Sequence, residues 1–177
     1  MAMIKYQQLK KNLSADKRGF ALLIAVIFMS VMLTLGLALS SIGYKQQMLA
    51  SASIASQYAF YVADAALECA LYADQQQSLF NYSSHSASNP PSAITCDNTQ
   101  ATQLSYSYDT NRLLVSERIP LDSNRHCADI TVYKYKDPQS PTNMTTFFFS
   151  QGYDVPCDVV ANPDGTRFVS RGISSNY

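Results

Sequence analysis

Residues 20–42 carry no charged side chain, and this run constrains the chain more than any other feature. As a helix rising ~1.5 Å per residue, its 23 residues reach about 34 Å, enough to cross the hydrocarbon core of a bilayer. Lys5, Lys10, Lys11, Lys17 and Arg18 precede the run, whereas Lys45 stands alone just beyond it. That asymmetry places the N-terminus in the cytoplasm and the remainder outside. The apolar stretch is longer than the core of an ordinary secretory signal and continues into a pattern that still reads as helix, so it is expected to stay with the protein.

The charge balance follows the same division. Formal net charge is zero over the 177 residues, but residues 1–19 hold five basic side chains against one acid, Asp16. The rest keeps 8 basic and 12 acidic residues, a net charge of −4. A mildly acidic exported part argues against a nucleic-acid groove as its main surface, because phosphate binding needs clustered Lys and Arg. With 12 Tyr and 8 Phe over the whole chain, the composition suits strands better than a disordered tail.

The helix is expected to continue beyond the membrane. Residues 43–77 contain no Pro, and Ala52, Ala55, Ala59, Val62, Ala66, Cys69 and Ala73 recur at steps of three and four, one helical stripe. From residue 20 to about residue 74 such a helix would be roughly 80 Å long and would need a partner along its length. Gly36, Gly43 and the small residues between them suit close helix packing in lipid.

Two motifs point to a family. Lys17-Arg18-Gly19-Phe20-Ala21-Leu22-Leu23 resembles the class III leader of type IV pilins and pseudopilins. That resemblance implies cleavage by a prepilin peptidase between Gly19 and Phe20 and N-methylation of Phe20. About 40 residues on, Ala59-Phe60-Tyr61-Val62-Ala63-Asp64-Ala65-Ala66-Leu67-Glu68 is similar to the AF-x-A-A-E-A-A-L stretch of PilX-like minor pilins, with Val62 in place of an Ala and Asp64 in place of the acid. The resemblance implies a pilin-like α+β fold, a long N-terminal helix under a small antiparallel sheet. It implies a structural role without catalysis. The expected partners are other pilin or pseudopilin subunits, prepilin peptidase, an inner-membrane assembly platform and membrane lipid. Ala59, Asp64 and Glu68, with Gly36 and Gly43, are the expected subunit-packing positions, Asp64 and Glu68 lying either on a face that meets another subunit or the head or on a solvated acidic face.

One position departs from the family. Most pilins have Glu at the fifth residue of the mature chain, and here Ile24 stands there. In a filament that acid is thought to pair with the N-terminal amine of the subunit above, offsetting a charge otherwise unpaired in an apolar layer. A subunit with Ile24 offers nothing to a subunit above it. The resemblance to K-type minor pseudopilins therefore implies a place at the tip or in an initiating complex. The competing reading is a bitopic membrane protein whose small extracytoplasmic head binds a ligand or partner without polymerising.

Beyond the helix, residues 78–100 are rich in Ser, Asn and Pro and read as a connector, with Asn89-Pro90-Pro91-Ser92 as a breaker. Residues 101–177 read as a β-rich head with strands at 104–108, 112–118, 128–136, 145–151 and 166–173. Asp164-Gly165, between Val159-Val160 and Phe168-Val169, reads as a two-residue hairpin turn. Phe149-Ser150-Gln151-Gly152 and Phe168-Val169-Ser170-Arg171-Gly172 echo one another, suggesting two strands that end in similar turns.

Cys69, Cys96, Cys127 and Cys157 all fall in the exported part, where an even count favours two disulfides, and no CxxC motif suggests zinc. Three pairings are open. The preferred one ties the helix end to the connector through Cys69 and Cys96, and staples the C-terminal sheet region through Cys127 and Cys157 as pilins often do. No cofactor is expected; Asp154, Asp158 and Asp164 are weak candidates for Ca²⁺, which takes oxygen ligands, but their spacing is not that of an EF-hand. The only histidines are His85 and His126, and no hydrolase, zincin or P-loop motif accompanies them, so no enzyme is expected.

Overall fold

A computed structural model describes the backbone of residues 2–137 and 140–177, and the side chains of residues 19–137 and 144–177. The basic side chains at positions 5, 10, 11, 17 and 18 lie outside the described residues. The fold is α+β: a long N-terminal helix, whose outer part packs on an antiparallel sheet. The chain divides into two compact units, Met1–Ala50 and Ser51–Tyr177.

The first unit is part of helix α1, which spans Ala2–Gln75. Its helical backbone thus begins well before residue 20, where the apolar pattern starts. Within this unit the described side chains from Gly19 to Ala50 are all exposed. Ser30, Thr34 and Ser41 turn their hydroxyls back onto the carbonyls of Ile27, Val31 and Ala38 at 2.8, 2.9 and 2.9 Å. These bonds satisfy three of the four hydroxyl side chains of the run, Ser40 being the other, as a lipid environment favours.

In the second unit the last turns of α1 lie on a five-stranded sheet of order β3-β4-β5-β6-β7, with β3 at Thr102–Asp109, β4 at Arg112–Leu121, β5 at His126–Asp137, β6 at Ser140–Tyr153 and β7 at Ser170–Asn176. All neighbours are antiparallel. Alternation sets the faces: Leu113, Val115, Glu117, Ile119 and Leu121 of β4 point inward, as do Ala128, Ile130, Val132 and Lys134 of β5. The helix answers with Ala59, Val62, Ala66 and Ala73 from the expected stripe, widened by Ala63, Leu67 and Ala70. Small residues bring the helix backbone close to the sheet. A Cβ on Gly152 of β6 would overlap the Ala59 carbonyl oxygen and the Ala63 nitrogen, and the Ser150 hydroxyl donates to the Ala63 carbonyl at 2.7 Å.

Several expectations need correction. Helix α1 ends at Gln75 rather than 77, and the connector is partly ordered. It holds a 3-10 turn, Tyr82–Ser84, capped by the Asn81 side chain. It also holds a small hairpin of β1, Thr95–Cys96, and β2, Thr99–Gln100, turning through Asp97 and Asn98 at φ 49 and 56°. Asp164 and Gly165 do adopt left-handed backbone, φ 37 and 79°, but no β-hairpin surrounds them. Val159 and Val160 lie in a short helix α2, Cys157–Ala161, opened by Pro156, and the last strand begins only at Ser170. The disulfide from Cys157 to Cys127 holds α2 to β5, which draws this segment out of any strand pairing with residues 166–169. The echoing glycines do not end strands either. Gly152 pairs with Arg171 and Gln151 with Gly172, inside the β6–β7 ladder.

Candidate functional site

Gly19 and Phe20, the expected cleavage residues, lie on the helical backbone of the first unit, with Phe20 exposed and no atom near the Cα of Gly19 that a side chain would strike. Ile24 is likewise exposed, and Gly36 and Gly43 have open space around them. The described part of α1, Gly19–Gln75, contains a window of mean hydropathy 2.7, long and apolar enough to cross a membrane.

In the second unit the expected subunit-packing residues divide. Ala59 is fully buried under Gly152 of β6, so its packing partner is the sheet of its own chain and not another subunit. Asp64 is half-buried and Glu68 exposed, on the helix side turned away from the deepest core. Tyr58, Tyr61 and Tyr72 are exposed on the same segment.

Two disulfides close the head, Cys69–Cys96 and Cys127–Cys157, with Cα separations of 6.2 and 4.8 Å. With Cys127 bonded, it offers no thiol beside His126. That histidine instead stacks on Tyr58 at 5.6 Å between centroids and sits 3.3 Å from Asp122. His85 is held by the Leu79 carbonyl at 2.8 Å. Asp154, Asp158 and Asp164 do not converge: Asp154 accepts from the Val169 N–H at 2.7 Å, and among the described residues no cluster of three or more His, Cys, Asp or Glu forms a metal site.

The polar centre of the head was not foreseen. Asp74, at the end of α1, is buried with Lys134 of β5, whose ammonium donates to both carboxylate oxygens; the Tyr177 hydroxyl donates to Asp74 as well. Burial beside the Asp74 carboxylate pushes the Tyr177 hydroxyl well above its usual range. The cluster floors an open cleft of about 580 Å³ bordered by Asn81, Tyr82 and Ser83. A second buried acid, Glu117, is 1% exposed. One of its oxygens accepts the Ile94 N–H at 2.9 Å, and the other has no hydrogen-bond partner among the described residues. Burial raises this carboxyl above the ordinary glutamate value, against a smaller lowering by the Ile94 bond. The signal for both was present in the strand alternation, where Glu117 and Lys134 fall at inward positions among Val115, Ile119, Ile130 and Val132.

No protein-family model, curated protein or solved structure matches the chain.

Proposed function

We propose that this chain is a minor structural subunit of a type IV pilus or related pseudopilus, processed between Gly19 and Phe20. The observation that carries the reading is the composition of α1. An uncharged run of membrane length directly follows Lys17-Arg18-Gly19, and the same helix supplies the Ala-rich face that packs on a disulfide-closed antiparallel sheet. A helix with both properties serves an anchored precursor and, after extraction, the packed centre of a filament. The precursor would sit in the inner membrane with its N-terminus in the cytoplasm. Its partners would be prepilin peptidase, the assembly platform, membrane lipid and other subunits. Its role is structural and requires no cofactor or catalysis.

Ile24 refines the proposal. A filament position with a subunit above requires a carboxylate for that subunit's amine, and an apolar side chain leaves the charge unpaired in an apolar layer. The chain therefore belongs at the tip or in the initiating complex. An Ile24→Glu variant tests this: more internal copies per filament, seen by labelling along the shaft, are expected. Unchanged filament number and length, with the variant still confined to the tip, would remove the charge argument. A bitopic anchored receptor shares the same helix and head, and differs in retaining residues 1–19 in cells with an active prepilin peptidase.

A further inference from the structure

The sheet face turned away from the outer part of α1 carries an aromatic surface that stays partly exposed among the described residues of the head. Its rings come from neighbouring positions of β5 and β6: Tyr133 pairs with Phe147, Thr131 with Phe149, and Tyr135 with Thr145. All four rings lie on the outer face, because Val132, Lys134, Phe148 and Ser150 take the inner one. Tyr135, Phe147 and Phe149 remain 37, 38 and 39% exposed, and Tyr133 stacks on Tyr135 with centroids 5.5 Å apart. On β7, Gly172 makes room for this surface. A Cβ there would come within 2.9 to 3.0 Å of the Phe149 ring, so the missing side chain lets that ring lie down over the strand.

The two arginines that border the rings are each paired with an acid. Arg118 donates to both oxygens of Asp129 at 2.7 and 2.8 Å, and Arg112 stands 3.6 Å from Asp109, so each arginine of this face has its own carboxylate. The flanking outer positions of β3 and β7 are hydroxyls and an amide, Ser105, Ser107, Ser174 and Asn176. A nucleic acid would require free cations, which these pairs do not supply. A stable protein interface needs about 800 Å² per partner, whereas these half-exposed rings offer roughly 300 Å². Flat aromatic faces bordered by neutral donors and acceptors instead match a pyranose ring, whose axial C–H face is apolar and whose rim is hydroxyl.

We propose that the outer face of the head binds a neutral polysaccharide, with Tyr133, Tyr135, Phe147 and Phe149 stacking on the sugar faces and the flanking hydroxyls bonding their rims. The inference stands on the head alone and needs neither processing nor assembly, so it fails or survives independently of the filament reading.

The test is a depletion assay. Full-length protein in lipid nanodiscs is mixed with insoluble cellulose, with chitin and with immobilised DNA. Retention on at least one of the two polysaccharides is expected, little changed up to about 1 M salt where Coulombic attraction is screened. A Phe147→Ala/Phe149→Ala variant should lose at least tenfold in retention, Phe147→Tyr/Phe149→Tyr should keep it, and Tyr72→Ala, on the helix, should behave as wild type. Circular dichroism of each variant establishes that it is folded; if the alanine variant is not, Gly172→Ala, which tilts the Phe149 ring, must weaken retention instead. The proposal is overturned if neither polysaccharide retains the protein or if folded aromatic variants are retained equally. It is also overturned if DNA alone retains it, or if the substitutions change self-association and leave polysaccharide retention intact.

Discussion

Lys134 donates to both carboxylate oxygens of Asp74, at 2.6 and 2.7 Å, across 60 residues of sequence and with both side chains buried. The pair joins the end of α1 to the middle of the sheet. Removing one partner strands the other charge out of water, so Asp74→Leu or Lys134→Met alone should cost about 3 to 5 kcal/mol. The double variant Asp74→Leu/Lys134→Met should lie much nearer wild type, because the uncompensated charge disappears. Urea unfolding of the four proteins as a double-mutant cycle gives the coupling. Additive losses would show that the pair is not acting as a unit.

Glu117 gives a pH dependence of definite sign. Its folded-state carboxyl is raised above the ordinary value of 4.5, so the folded protein holds this proton more tightly than the unfolded chain. Its contribution is fully present below about pH 4.5 and is lost as pH rises through the raised folded value. Asp122 acts oppositely: the hydrogen bond from the Arg125 guanidinium lowers its carboxyl, but the group is exposed and solvent screening leaves it little weight in stability. Thermal midpoints of wild type and Glu117→Gln across this range isolate the effect. Their difference should change as pH rises from 4.5 towards neutrality, wild type losing more; parallel profiles would mean the carboxyl does not titrate there.

Two glycines on adjacent strands should respond very differently to the same substitution. Gly152→Ala drives a methyl into backbone atoms at Ala59 and Ala63, which cannot move without shifting the helix from the sheet. A loss of about 3 kcal/mol, the upper end of overpacking costs, is expected in urea titration. Gly172→Ala meets only the end of the Phe149 ring, which can rotate away, and should cost under about 1 kcal/mol. Equal effects would contradict the close helix–sheet contact.

The disulfides close segments separated by 27 and 30 residues. By chain entropy each should stabilise the head by about 3 to 4 kcal/mol. Replacing both cysteines of one bridge with Ser measures this, and non-reducing peptide mapping should find Cys69 joined to Cys96 and Cys127 to Cys157. A cross-pairing such as Cys69 with Cys127 would refute the arrangement.

The residues that wrote their own positions most clearly are those under a single strong constraint. The uncharged run and the stripe through Ala59, Val62, Ala66 and Ala73 follow from periodicity alone, and alternation placed four of the five strands within a few residues. Asp164-Gly165 misled because turn residues specify only the local backbone. Whether strands flank them depends on Cys157, whose tether to Cys127 commits residues 157–161 to a helix. Asp74 and Lys134 stayed hidden for a related reason. Each looks like a solvated charge until the partner, 60 residues away, is brought to it. Ala59 shows the same limit, since small residues on a helix do not say whether the neighbour is a subunit or the chain's own sheet.

The central claim rests on the bond between Gly19 and Phe20. Intact mass and N-terminal peptide analysis of the protein isolated from cells with an active prepilin peptidase measures it directly. The account predicts a chain beginning at residue 20 with a monomethylated Phe amine. A chain that retains residues 1–19, or that starts at residue 20 with no methyl group, would contradict it.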